Sequence, residues 1–137
     1  MKCLDTTFLI DIVEHPEDAK RIAEDLERGG EVLATTAFNV YEALLGVHSV
    51  RDRRSRAKLL DLYAKAFSRL AVLPMSLEDA SKAAELGGEL RRKGLEVGAD
   101  TLTVAIALRG GCDGVVTRNV AHFERIRELT GMDVIRY

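Results

Sequence analysis

The sequence has no tryptophan, only two cysteines and two prolines, and no apolar run long enough to cross a bilayer. Each absence removes a class of reading. Two thiols, Cys3 and Cys112, cannot frame a zinc module, and they match no metal-ligand spacing. Two buried free thiols are expected, with a Cys3–Cys112 disulfide as the alternative for a hyperthermophilic source. The opening MKCLDTTFLI carries one lysine and an early acid, which makes a poor secretory signal, so a cytoplasmic location is expected. An excess of positive charge is also missing: 20 Lys and Arg face 22 Asp and Glu, for a net charge of -2. That balance speaks against a protein that coats nucleic acid. It speaks less against an enzyme that touches a few phosphates around a metal ion.

What is present suffices for one compact domain over residues 1–137. Nearly half of the 137 residues are apolar, enough for a real core. Strand-like runs at Lys2 to Leu4, Val32 to Ala34, Leu70 to Leu73, Gly114 to Thr117 and Val134 to Ile135 alternate with amphipathic segments of helical period. Punctuation supports those segments. Pro16 suits a first helical turn, Thr35 or Thr36 can cap the next helix, and Ser76 with Asp79 forms a capping-box pattern. Gly29-Gly30, Gly94 and Gly110-Gly111 mark helix ends, and a helix carrying Leu102 to Leu108 is expected to begin near Gly98. No two strands are joined by a hairpin signal. Right-handed crossovers and a mostly parallel sheet of four or five strands, with helices on both faces, follow from that pattern.

Sites in such sheets lie beyond the carboxyl ends of the strands. Asp5 directly follows the first strand. Glu42 lies in the helix after the second, Asp100 starts a helix, and Thr117, Arg118 and Asn119 follow the fourth strand. Three converging carboxylates repel one another, and a hard divalent cation such as magnesium or manganese removes the repulsion. Such an ion polarises a phosphate and generates hydroxide from water, which points to phosphodiester hydrolysis. No serine–histidine or cysteine–histidine pair competes for the same strand ends. Each acid also has a plainer reading taken singly. Asp5 and Asp100 suit helix caps or dipole partners, and Glu42 suits a solvated helix face.

At this point the sequence resembles the PIN-domain nucleases, and within them the VapC toxins of prokaryotic toxin–antitoxin pairs. Four blocks in order carry the resemblance over essentially the whole chain: CLDTTFLIDIVE, TTAFNVYEALLG, GADTLTVAIAL and GVVTRNVAHFERI. It implies a three-layer α/β/α sandwich and a Mg2+- or Mn2+-dependent endoribonuclease. Asp5, Glu42 and Asp100 become the metal-site acids, with Asp5 and Asp100 as direct ligands and Glu42 acting through water. Thr7 would orient the acids, and Thr117 and Arg118 would support the site or bind substrate. Many family members carry a further aspartate where this chain has Asn119. Asparagine offers an oxygen but no charge, so one firmly held ion is expected. The resemblance also implies RNA as substrate, a small antitoxin that covers the acidic site, and a homodimer.

Other polar residues read as structural. Asp11 and Glu14 lie off the predicted site, Asp113 precedes its strand, and Glu96 reads as solvated. His122 beside Phe123 reads as a packing or capping histidine, and His15 and His48 as surface residues. The basic cluster of Arg51, Arg53, Arg54, Arg56 and Lys58 reads as a solvated helix start, with RNA or partner contact as the alternative. Most of Tyr41, Leu45, Leu62 and Phe67 are assigned to the core. Three rival functions remain: a PIN nuclease in RNA maturation or DNA processing, a catalytically inactive binding domain, and a phosphorylation-controlled receiver domain. The last lacks paired acids after the first strand and a lysine after the fifth.

Overall fold

The computed structural model describes residues 1–137. Five short strands form one sheet: β1 (Lys2–Leu4), β2 (Leu33–Thr36), β3 (Ala71–Leu73), β4 (Gly114–Thr117) and β5 (Asp133–Arg136). Their order is β3-β2-β1-β4-β5, and every neighbouring pair is parallel. The connections are helical: α1 (Thr6–Glu14), α2 (Pro16–Arg28), α3 (Ala37–His48), α4 (Arg53–Phe67), α5 (Leu77–Arg92), α6 (Asp100–Arg109) and α7 (Val120–Thr130). The expected α/β/α sandwich is therefore present with five strands, all of them parallel. No helix is long and apolar enough to cross a membrane.

Burial follows from position in the sheet. The inner strands β2 and β4 are buried along their whole length, whereas the edge strands β3 and β5 are half exposed. Strand side chains alternate between faces. Cys3, Ala34 and Val115 pack on one face with Leu86, Leu90, Val104, Phe123 and Ile126 from α5, α6 and α7. Leu4, Leu33 and Val116 pack on the other with Phe8, Leu9, Ala19 and Ala23 from α1 and α2. Both cysteines are buried and free.

This split positions the site. After β1 the chain leaves to the α1 face, and after β4 it leaves to the α7 face. The carboxyl ends of these two neighbouring strands thus form the topological switch point of the sheet, where a crevice opens. At the opposite edge, Asp113 pairs with Lys2 and lies near the N-terminal amine, so it plays no part in that crevice.

Two expectations need correction. The helix expected near Gly98 begins at Asp100, because Gly98 adopts a positive φ of 56° and closes a turn whose amide donates to Glu96. Tyr41, Leu45 and Leu62 are exposed rather than core, Tyr41 by 59% and Leu45 by 53%. Helix α3 is apolar nearly all round, and its inward stripe is already taken by Asn39, Ala43 and Val47. Only Phe67 of that set packs partly against the core.

The helix starts are well built. Thr36 caps α3, Pro16 opens α2, and Ser76 with Asp79 completes a capping box on α5. Asp79 has a second task. Its buried carboxylate receives two bonds from Arg109, at 2.7 and 2.9 Å, which tie the end of α6 to the start of α5. Arg109 holds the Asp79 carboxyl below its usual range. Replacing Arg109 by methionine strands the Asp79 carboxylate and should lower stability. A lower urea unfolding midpoint for Arg109→Met than for the parent checks this.

Candidate active site

Asp5 is the best-anchored polar residue at the switch point. It ends β1 and caps α1, so one Oδ1 accepts the Phe8 amide at 3.0 Å and the Thr7 hydroxyl at 2.7 Å. Its Oδ2 accepts the Thr117 hydroxyl, at 2.5 Å, from the end of β4. The two threonines are fixed in turn: the Arg118 amide donates to Thr7, and the Asn119 amide donates to Thr117. Capping and site-building are therefore one arrangement, not alternatives. Asp5 is only 4% exposed. Burial pushes its carboxyl up to about 6 against the pull of those three donors, and the Asp100 charge pushes the same way.

Asp100 begins α6 and faces the same crevice. Its Oδ2 accepts two bonds from the start of α7, from His122 Nδ1 at 2.8 Å and Asn119 Nδ2 at 3.1 Å. No protein donor reaches its Oδ1. Burial raises the Asp100 carboxyl, and the His122 and Asn119 contacts moderate the rise.

Glu42 approaches through a polar chain. Its Oε1 accepts the Thr6 hydroxyl at 2.6 Å, and Thr6 accepts from Asn39 Nδ2 at 2.9 Å. The same Asn39 amide donates to Thr103, one helical turn beyond Asp100, while Thr36 donates to Asn39 Oδ1. This chain links the helices that carry Asp5, Glu42 and Asp100. It does not pull the three acids into a closed cage: no three His, Cys, Asp or Glu side chains converge tightly enough for that.

The donor set still fits a hard cation. Its groups are carboxylate and amide oxygens, two of the acids are raised by burial, and Asp100 Oδ1 is free. Magnesium-class ions keep several waters and need only one or two carboxylates, so an open set suits them better than a cage.

Sequence reasoning grouped Asp5, Glu42 and Asp100 with Thr7, Thr117 and Asn119: Thr7 and Thr117 bond Asp5, Asn119 bonds Asp100, and Glu42 stands apart on Thr6. Arg118 is beside them, but its guanidinium is already engaged: it pairs with the buried Asp11 and lies 5.6 Å from the centre of the Tyr137 ring. The Tyr137 hydroxyl donates to Asp11 at 2.6 Å. Asp11 is structural, as expected, and its role is to anchor Arg118. Three residues were missed: Thr6, Asn39 and His122. Asn39 left a signal, a lone amide on the inward stripe of an otherwise apolar helix. His122 left none beyond its place in the fourth block, and its contact with Asp100 corrects the packing role assigned to it.

Comparison with known proteins gives the family and the fold. The family model described as the PIN domain matches residues 2–129. Ribonuclease VapC2 of Rickettsia felis is 27% identical over 127 residues, spanning 92% of each chain. The fold is similar to VapBC2 from Rickettsia felis bound to a DNA fragment from their promoter, with a TM-score of 0.81 and 24% identity over 99% of this chain and 98% of that one. DNA-bound VapBC from Salmonella typhimurium gives a TM-score of 0.82 and 25% identity over 98% and 96%.

The raised Asp5 carboxyl has a consequence for stability. The folded chain holds this proton more tightly than the unfolded chain does. Ionised Asp5 therefore costs stability above about pH 6, and the cost is relieved as pH falls toward 4. Each tenfold change in proton affinity is worth about 1.4 kcal/mol. Asp5→Asn should thus stabilise the metal-free protein by about 1–3 kcal/mol at pH 7.5, and by little at pH 4.5. Denaturant unfolding in chelator at the two pH values measures the difference.

Proposed function

The chain belongs to the PIN-domain family, and on that premise we propose that it is a metal-dependent endoribonuclease acting as the toxin of a toxin–antitoxin pair. The observation that carries the reading is that the buried Asp5 and the half-buried Asp100 face one crevice at the switch point, with one Asp100 oxygen free. The name of the Rickettsia relative, a ribonuclease, and the VapBC complexes of similar fold support it. The substrate proposed is single-stranded RNA, and the unit that acts is the single domain of residues 1–137.

Asp5 and Asp100 would hold a Mg2+ ion, with Mn2+ able to substitute. When bound, the ion offsets the two carboxylates, polarises the scissile phosphate and lowers the proton affinity of water. The chain's own residues do the rest. Thr7, Thr117 and the Phe8 amide fix Asp5 so that it cannot turn away from the crevice. Glu42, steadied by Thr6, is the carboxylate left to orient the attacking water and accept its proton. Arg118 keeps donors free on a side chain that is 64% exposed, and it binds a flanking phosphate while Asp11 and Tyr137 restrict its swing. In-line attack then expels the ribose 3′ oxygen and leaves a 5′ phosphate and a 3′ hydroxyl.

An acidic crevice of this kind needs a cover while the enzyme is idle. A small antitoxin whose cationic side chains enter the crevice fits that need. A homodimer and a cytoplasmic location complete the reading.

Cleavage of a single-stranded RNA in Mg2+ or Mn2+ tests it. Asp5→Asn and Asp100→Asn should each lower kcat by about 100-fold or more, since each removes charge from the ion site. Equal activity in all three proteins, full activity in excess chelator, or a 2′,3′-cyclic phosphate product would overturn the proposal. Arg118→Ala should raise KM several-fold with little change in kcat, and should flatten the salt dependence of RNA binding by about one charge.

A further inference from the structure

Asp100 receives nothing from its own helix. The residue before it, Ala99, has no side chain that can cap α6, and no local donor fixes the Asp100 carboxylate. Both of its donors come from the first turn of α7, and both land on the same oxygen, Oδ2. Asn119 occupies the N-cap position of α7, where an asparagine side chain ordinarily accepts a backbone amide, a bond worth roughly 1 kcal/mol. It makes no such bond and turns its amide nitrogen to Asp100 instead. His122 is not needed to dock α7, because the buried Phe123 and Ile126 do that. Its side chain is 37% exposed, and a bond in so wet a place adds little to folding.

We propose that His122, with Asn119, is a positioning residue that clamps Asp100 Oδ2 and thereby presents Oδ1 alone to the ion. The inference rests on the metal-site reading above and goes beyond it. It assigns His122 a role and turns Asn119 from a ligand into an orienting donor. Asp5 shows what the clamp accomplishes. Its carboxylate is fixed through both oxygens by three donors, whereas without α7 the Asp100 carboxylate would rotate freely about its last bond. Nδ1 bears the proton donated to Oδ2, which fixes the ring tautomer and leaves Nε2 as the acceptor. Outer-sphere donors of this kind typically change metal affinity 10- to 100-fold.

Mn2+ titration of the RNA-free protein by calorimetry tests the clamp without reference to activity. His122→Phe keeps a ring and loses the donor. It should bind Mn2+ about 10-fold or more weakly than the parent, with an unchanged melting temperature. His122→Asn places an amide nitrogen where Nδ1 stood and should return affinity to within a few-fold. Asn119→Ala, which leaves one donor of the two, should fall between the parent and His122→Phe. With RNA, His122→Phe should lower kcat and leave KM unchanged. If His122→Phe binds Mn2+ as the parent does, or if His122→Asn binds as weakly as His122→Phe, the clamp is refuted while the metal site stands. If the parent takes up no Mn2+, the metal-site reading falls, and the clamp falls with it. A lowered melting temperature in His122→Phe together with weak binding in all variants would mark His122 as structural and refute the proposal.

Discussion

The carboxylate of Asp5 is bonded from both sides of the crevice between β1 and β4, and the rest of the site depends on that bond set. Thr7 and the Phe8 amide reach it from α1, and Thr117 reaches it from the end of β4. Those donors come from elements that leave the sheet toward opposite faces. The acid is therefore the point where the two halves of the sandwich meet. Parallel pairing of Leu4 with Val116 brings the strand ends level, and Asp5 and Thr117 follow one residue later on each. Register thus sets the site geometry. A slip of one residue would turn Asp5 to the opposite face.

The arrangement opposes its own stability. Burial raises Asp5 and Asp100 alike, and the Asp100 charge makes Asp5 harder still to ionise. Elsewhere the fold resolves buried acids with cations: Arg109 on Asp79, Arg118 on Asp11. At the switch point no Arg or Lys reaches either acid, and the donors are hydroxyls, amides and the His122 ring. That contrast is informative. Neutral donors hold a carboxylate in place without cancelling its charge, and an uncancelled pair of charges attracts a cation from outside. An Arg or Lys in the crevice would remove the strain and, with it, the reason for an ion to bind.

Much of this was legible in the sequence, and what was not has identifiable causes. Alternating strands and helices with no hairpin signal dictated a parallel sheet, and strand-end placement then selected Asp5 and Thr117. Spacing could not show that Asp100 meets them, because Asp100 follows no strand and reaches the crevice only through the packing of α6 against its neighbours. The four-block resemblance supplied that link. Asn39 and Thr6 were missed because their bonds join residues more than thirty positions apart. Tyr41 and Leu45 were misassigned because an all-round apolar helix gives no period by which to choose its buried face.

Asn119 brings these strands of argument together. An aspartate in its place would set a third anion against Asp5 and Asp100, and would itself require a cation to be tolerated. Asparagine instead donates to Asp100, so the fourth block lowers the charge of the site and orders it in one step. His122 adds a second donor to the same oxygen. The charge that remains is carried by Asp5 and Asp100, with Glu42 held apart on the Thr6 hydroxyl, which itself bonds Asn39. On the proposed reading, the two carboxylates would balance one divalent ion, and a second ion would have only Glu42 among the acids. Asn119 is thus the residue on which the proposed one-ion site turns.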